Sequence, residues 1–260
     1  MAKVASGQPM RSAERLLRVL KCFGAERATL SIAEIARELD LAASTVRRLL
    51  QTLEQEGFVR QEAASGRYKL GTAVIRLAAA ALAGSSLVKA AGPILDALNE
   101  HLDEAVQLTV RDGDALIIID HRQSRHLVKV FHKIGHRYAP YRGSAAGKAL
   151  LAWLPDPELA ALLPPEGRWQ AYSPRGITDL EGLRAALAQT CERGYAINDG
   201  ETEADVWSVA APVRDQRGAV VAAINLPCPK SRLSEDRRAA IAAAVVAAAK
   251  ELSDAVPFAA

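Results

Sequence analysis

Residues 31–53 read SIAEIARELDLAASTVRRLLQTL, and this stretch decides the fold of the first part of the chain. Ser31 followed three residues later by Glu34 is a capping box, in which each side chain can satisfy a backbone N–H left free at a helix start. Ile32, Ile35, Ala36 and Leu39 then recur at three- and four-residue steps, the spacing that gathers them on one helical face. Asp40-Leu41 breaks that stripe, and Val46, Leu49, Leu50 and Leu53 begin another. The pattern predicts helix, short turn, helix. Between the apolar positions of the last helix lie Ser44, Thr45, Arg47, Arg48, Gln51 and Thr52, a short, polar, cationic face suited to a DNA major groove.

The flanks extend this unit in both directions. Upstream, Leu16, Leu17, Val19, Leu20 and Phe23 predict a helix over 12–23 with Ser12 as its N-cap. Downstream, Gly57 is a left-handed helix stop, Phe58-Val59-Arg60 is strand-like, and after Gly66 the run Arg67-Tyr68-Lys69-Leu70 can return as a second strand. Such a hairpin is a wing, and Arg60, Arg67 and Lys69 on it are placed to hold DNA backbone. Two arginines on an exposed helix face would by themselves mean only a solvated surface. The order of capped helix, turn, basic helix and basic hairpin is what points to DNA. Charge agrees: residues 1–69 hold 12 Lys/Arg against 8 Asp/Glu, whereas the rest holds 21 against 22, so the positive excess lies where phosphate would be met.

At 260 residues, half of them apolar and 24% charged, the chain has material for two cores. Its longest apolar run, Ala239 to Ala249, falls well short of the roughly 20 residues a membrane span needs. The N-terminal MAKVASGQPM lacks the apolar stretch of a secretory signal, so a cytoplasmic protein without membrane attachment is expected. Cys22, Cys191 and Cys228 offer neither a disulfide framework nor zinc-site spacing and are expected as reduced thiols.

Thr72 to Leu82 predicts an alanine-rich helix stopped by Gly84, and Leu87 to Leu102 a further amphipathic helix. Strand patterns follow at 105–111, 115–121 and 126–131, with Asp112-Gly113-Asp114 as a hairpin turn between the first two. Helical patterns at 147–154 and 180–193, strand patterns at 206–214 and 219–226, and a terminal helix capped by Ser234 complete the chain. Hairpin-linked strands in two groups separated by helices predict an α+β domain with a mostly antiparallel sheet. Chemistry-bearing motifs are wanting. Gly143 to Lys148 has its glycines one residue too close for a phosphate loop, and Ala149 replaces the magnesium-binding hydroxyl. His132 and His136 lack the intervening Glu of a zinc protease helix, and no nucleophile elbow occurs. No cofactor, no metal and no catalysis are expected.

RSAERLLRVLKCF, LSIAEIARELDLAASTVRRLLQTLEQEGFV and GRYKLG resemble the DNA-binding half of the IclR (isocitrate lyase regulator) transcription factors. GSAAGKALLAWL, ERGYAINDGE and VAAPVRDQRGAVVAAINL resemble the effector domain of the same family, so the likeness spans nearly the whole chain. The resemblance implies a winged helix-turn-helix domain over 1–70, a linker helix over 71–85 that helps pair DNA-binding units, and a GAF-like effector-binding and oligomerisation domain over 86–260. It further implies a DNA operator, palindromic for a dimer or tetramer, and a small-molecule effector, an organic or aromatic acid, controlling a catabolic or metabolic operon. The family's ligand pattern falls here on Val128, Phe131, Ala139, Ala145 and Ala146 as one wall of a pocket, with the start of the following helix open to an anion. Asn198, Val206, Ser208, Asn225 and Pro227 form the other. Relatives that bind small keto acids carry an acid, a cysteine or serines at some of these places. This chain has Asn198, Ser208, Asn225 and Pro227 there, a departure that leaves the ligand open, while Phe131 with its apolar neighbours mildly favours a larger or aromatic acid. An enzyme acting on the molecule held by the second domain is one alternative, distinguished by turnover; a constitutive DNA-binding and oligomerisation protein whose pocket has lost its ligand is another, distinguished by a thermal-shift screen of organic acids.

Overall fold

The computed structural model describes residues 10–24, 27–130, 132–139 and 143–256. The chain divides into two units, 1–84 and 85–260.

In the first unit, α1 (Arg11–Lys21) begins one residue earlier than expected. Met10 holds its cap position without a side-chain hydrogen bond, and Ser12 lies inside the first turn. α2 (Ile32–Leu39) opens with the capping box: the Glu34 N–H donates to Ser31 Oγ, and the Ser31 N–H to Glu34 Oε2 at 2.7 Å. Asp40 takes a left-handed conformation, φ 53°, that ends α2 and turns the chain into α3 (Ala43–Gln55). The wing strands β2 (Val59–Gln61) and β3 (Tyr68–Leu70) pair antiparallel. A two-residue strand, β1 (Thr29–Leu30), too short for any periodicity to reveal, pairs with the other edge of β3. Val19, Leu30, Ile35, Val46, Leu50, Val59 and Tyr68 close one core among these elements.

Two glycines fasten the wing at its base. Gly57, at φ 73°, terminates α3, and Gly71 passes so close that a Cβ on it would stand 2.1 Å from the Gly57 carbonyl oxygen. The Gly71 N–H donates to the Phe58 carbonyl, and the Ala73 N–H, in the first turn of α4 (Thr72–Gly84), to that of Gly57. α4 has no buried residue in this unit.

The second unit runs α5 (Ser86–Leu102), β4 (Val106–Asp112), β5 (Ala115–Arg122), β6 (Arg137–Tyr138), α6 (Ala145–Leu151), α7 (Asp156–Ala161), α8 (Leu180–Arg193), β7 (Ala196–Asp199), β8 (Val206–Arg214), β9 (Val220–Pro229) and α9 (Glu235–Ala255). The strands form one antiparallel sheet in the order β6-β5-β4-β9-β8-β7. The strand expected over 126–131 is absent from its described residues: Leu127 and Val128 are exposed without a cross-strand partner, and the segment is tied instead by Ser124 and Arg125 to Asp103 and by Arg232 to the Val128 carbonyl. β6, α7 and β7 are too short to have shown a pattern. α6 starts two residues before its expected beginning at Gly147.

Alternation divides the sheet. Val106, Leu108, Trp207, Val209, Ala211, Val213, Ala222, Ile224, Leu226 and Cys228 face α5 and α9 in the larger core. On the opposite face Ala196, Ala210 and Ala223, all fully buried, receive Ala145, Ala146 and Ala149 of α6. Small residues on both sides let the helix lie close to the strands.

Gly71→Ala forces a backbone shift at the wing base, and overpacking of this kind costs about 1–3 kcal/mol. The thermal midpoint of the first unit's unfolding should fall by several degrees in a melt of the full chain, with the second unit's transition unmoved.

Candidate nucleic-acid interface and ligand pocket

α3 turns Val46, Leu50 and Leu53 inward and leaves Ser44, Arg47, Arg48, Gln51 and Thr52 exposed, with Thr45 half-buried. The ion pairs of this unit among the described residues join Arg27 to Glu38, Arg67 to Glu34 and Lys69 to Glu62. Arg47, Arg48 and Arg60 enter none of them and can turn to phosphate or base edges.

Arg67 is different, and its expected place on DNA backbone is revised. Its guanidinium donates to both Glu34 oxygens, at 2.8 and 3.1 Å, and to the carbonyl and hydroxyl of Thr29. Glu34 therefore serves the capping box and Arg67 together, which fixes β3 against the start of α2. Hydrogen bonds from Ser31 and then Arg67 hold its carboxyl down from 4.5 to about 2. Lys69 meets Glu62 at 2.8 Å with both side chains about a third exposed. A surface pair like that is worth about 0–1 kcal/mol, so phosphate can replace the carboxylate. Nothing in the spacing of Glu34 and Arg67 announced their contact.

In the second unit, register gathers most of the second expected pocket wall. Asn198, Ser208 and Pro227 are successive cross-strand partners on β7, β8 and β9. The next row runs Ala196, Ala210, Asn225 and Gln107 onto β4. Val206 sits half-buried at the start of β8. Ala145 and Ala146 lie buried under the first turn of α6, and Ala139 is half-buried before it. Val128, expected on a pocket strand, is 71% exposed and does not belong to this wall; Phe131 falls outside the described residues.

Several polar groups expected for a ligand are already engaged. Asn198 Oδ1 accepts from the Glu201 and Thr202 N–H groups and its Nδ2 donates to Thr202 Oγ1, holding the 199–202 turn. The N-terminus of α6, expected to be open to an anion, spends its Gly147 N–H on Ser144 Oγ, and the helix is only seven residues long. Lys148, 3% exposed, places Nζ 2.7 Å from each oxygen of Glu201. Burial lowers its pKa and the carboxylate opposes that shift.

Sequence reasoning passed over Gln107 and Thr109, which the VQLTV alternation sets on the α6 side of β4 opposite Val106 and Leu108, and His132, which was weighed only as half of a zinc motif. Among the described residues no group of three or more His, Cys, Asp or Glu could hold a metal ion, and no single helix is long and apolar enough to cross a membrane.

Two family models match the chain: the IclR helix-turn-helix domain over residues 12–63 and the bacterial transcriptional regulator IclR C-terminal domain over 79–254. This chain belongs to the IclR family. The transcriptional repressor IclR of Escherichia coli K12 is 34% identical over 251 residues, which cover 96% of this chain and 90% of that one. A crystal structure of an IclR regulator from Silicibacter sp. TM1040 superposes with a TM-score of 0.83 at 30% identity, covering 94% and 95% of the two chains. An IclR homologue from Microbacterium hydrocarbonoxydans, solved with 4-hydroxybenzoate, shares the fold at 24% identity, a TM-score of 0.80 and 94% and 98% coverage. The IclR-type chain described here is a DNA-binding transcriptional regulator with a ligand-binding C-terminal domain, and its relatives are regulators rather than enzymes.

Replacing Arg47 and Arg48 together by Ala should weaken binding to operator DNA at least about a hundredfold, each base-reading contact being worth about 1–3 kcal/mol, while effector binding is unchanged. Full DNA affinity in the double variant refutes the assignment. Acid gives a second check. Because the Glu34 carboxylate is held below its unfolded value, its stabilising contribution is complete above about pH 4.5 and disappears as pH falls towards 2. Glu34→Gln should therefore remove part of the acid-side dependence of the first unit's melting, measured between pH 5 and about 2.

Proposed function

We propose that this regulator works as a homodimer or homotetramer in the cytoplasm, with paired α3 helices reading successive major grooves of a palindromic operator beside a catabolic or metabolic operon. Ser44, Arg47, Arg48, Gln51 and Thr52 read the groove. Arg60 and Lys69 grip phosphate, and Arg67 keeps the wing in position. The observation that carries the reading is the pair Arg47 and Arg48, cationic, exposed and uncommitted on a helix whose other face is fully buried. Pairing is supported by the apolar surface of α4, where Ile75 and Leu77 are 68% and 59% exposed and open to a second copy.

The effector is a small organic molecule held on the α6 side of the sheet by Ser208, Asn225 and Pro227, with Ala145, Ala146 and Ala139 opposite. An organic or aromatic acid is the class we assign; the 4-hydroxybenzoate bound by the Microbacterium hydrocarbonoxydans homologue makes that compound a first probe. Its binding changes DNA affinity only through differential affinity for two arrangements of the protein.

The test is a titration of operator DNA with the full-length chain, free and saturated with each candidate acid, beside sedimentation of wild type and Ile75→Glu/Leu77→Glu. The reading expects an effector-dependent change in operator affinity and a shift of the variant towards monomer with weakened operator binding. A variant that assembles and binds as wild type removes α4 from the account.

A further inference from the structure

β4 and β9 are joined through side chains as well as backbone. Gln107 and Asn225 are direct cross-strand neighbours, 2% and 7% exposed, and Asn225 Nδ2 donates to Gln107 Oε1 at 3.0 Å. Gln107 Nε2 lies 3.0 Å from His132 Nδ1. An amide nitrogen can only donate, so Nδ1 accepts and the neutral ring carries its proton on Nε2. Burial, with His136 beside it, pushes His132 down to about 4, which keeps it neutral.

The chain thus has a direction. Each amide turns its NH2 towards His132, and Asn225 Oδ1 is left buried without a hydrogen-bond partner. A buried amide oxygen lacking a donor is uncommon and unfavourable. It occurs on the same face as Ser208 and Pro227, two positions along β9 from the latter. One row further along β4, Thr109 is fully buried, and its hydroxyl approaches that of Tyr138 without meeting hydrogen-bond geometry. The buried cation nearby, Lys148, is neutralised by Glu201.

We propose that Asn225 Oδ1 accepts a hydrogen bond from the effector, so that the group buried at the sheet is a hydroxyl or N–H and not a carboxylate. This deepens the effector-binding reading and rests on it. The ligand class is a hydroxy acid, aliphatic or phenolic, whose hydroxyl end enters first. Gln107 and His132 are positioning residues: they touch no ligand in this scheme, but by consuming the amide hydrogens they decide that the free end of the chain is an acceptor. Reversing the chain would offer an NH2 in its place and select a carboxylate.

Two measurements on the full-length chain test this. Nitrogen NMR of the histidine rings, with His132 assigned by loss of its signals in His132→Gln, is expected to show the Nε2–H tautomer; an Nδ1–H tautomer overturns the proposal. Thermal-shift and titration binding then compare matched probes: benzoate, 4-hydroxybenzoate and phenol in one set, propanoate, lactate and propylene glycol in the other. A hydroxylated probe should bind about tenfold or more tightly than its unhydroxylated match. Asn225→Leu should erase that preference, and Asn225→Asp, which keeps an acceptor oxygen, should retain it. Equal binding of benzoate and 4-hydroxybenzoate, or a preference that survives in Asn225→Leu, overturns the inference and leaves effector binding standing. No binding of any probe, with operator affinity indifferent to all of them, removes both.

Discussion

A sheet covered on both faces must find a partner for every side chain it carries, and in the C-terminal unit that requirement is met in two unlike ways. One face is filled by large apolar residues against α5 and α9. The other is kept shallow by Ala196, Ala210 and Ala223 so that α6 can lie on it. Where the alanines end, the row of Ala196 and Ala210 continues into Asn225 and Gln107, and Ser208 stands in the next row on β8. Polar groups buried at the edge of a tightly seated helix are costly unless satisfied, and Asn225 Oδ1 is left there without a hydrogen-bond partner. The proposed ligand site is therefore a consequence of strand register: a slip of one residue would carry Asn225 and Gln107 to the α5 and α9 side and dismantle it together with the core.

The DNA-binding unit depends on fewer residues. Glu34 ties the start of α2, through Ser31, to the returning wing strand, through Arg67. The approach of Gly71 to Gly57 ties the other end of the wing to the end of α3. With both ends fixed, α3 and β2 present Arg47, Arg48 and Arg60 from a rigid frame, so little ordering entropy remains to be lost on binding DNA. Arg67 belongs to this frame.

Much of this was legible in the amino-acid sequence. The capping box at Ser31, the stop at Gly57, the apolar stripe of α3 and the hairpin at Asp112-Gly113-Asp114 are local signals, and each depends only on neighbours in the chain. The alternating apolar runs likewise announced β4, β5, β8 and β9. What could not be read depends on contacts between distant residues. Arg67 looks like Arg60 in sequence, and only the fold separates the one that is consumed from the one that is free. The run 126–131 has strand composition, but its described residues, 126–130, pair with no strand. Asn198 and Asn225 are alike on paper, yet a turn consumes the carbonyl oxygen of the first and the sheet buries that of the second without a partner. β1, β6 and β7 are made by their neighbours.

The central claim, that α3 reads a specific sequence as part of a symmetric assembly, is tested most directly by selecting bound fragments from the source genome with the full-length chain and confirming them by gel shift at several salt concentrations. The account predicts enrichment of a short palindrome whose half-sites lie about one or more helical turns apart. Its affinity should exceed that of unrelated DNA by about a thousandfold or more at physiological salt. Uniform, salt-sensitive binding with no enriched sequence would contradict it.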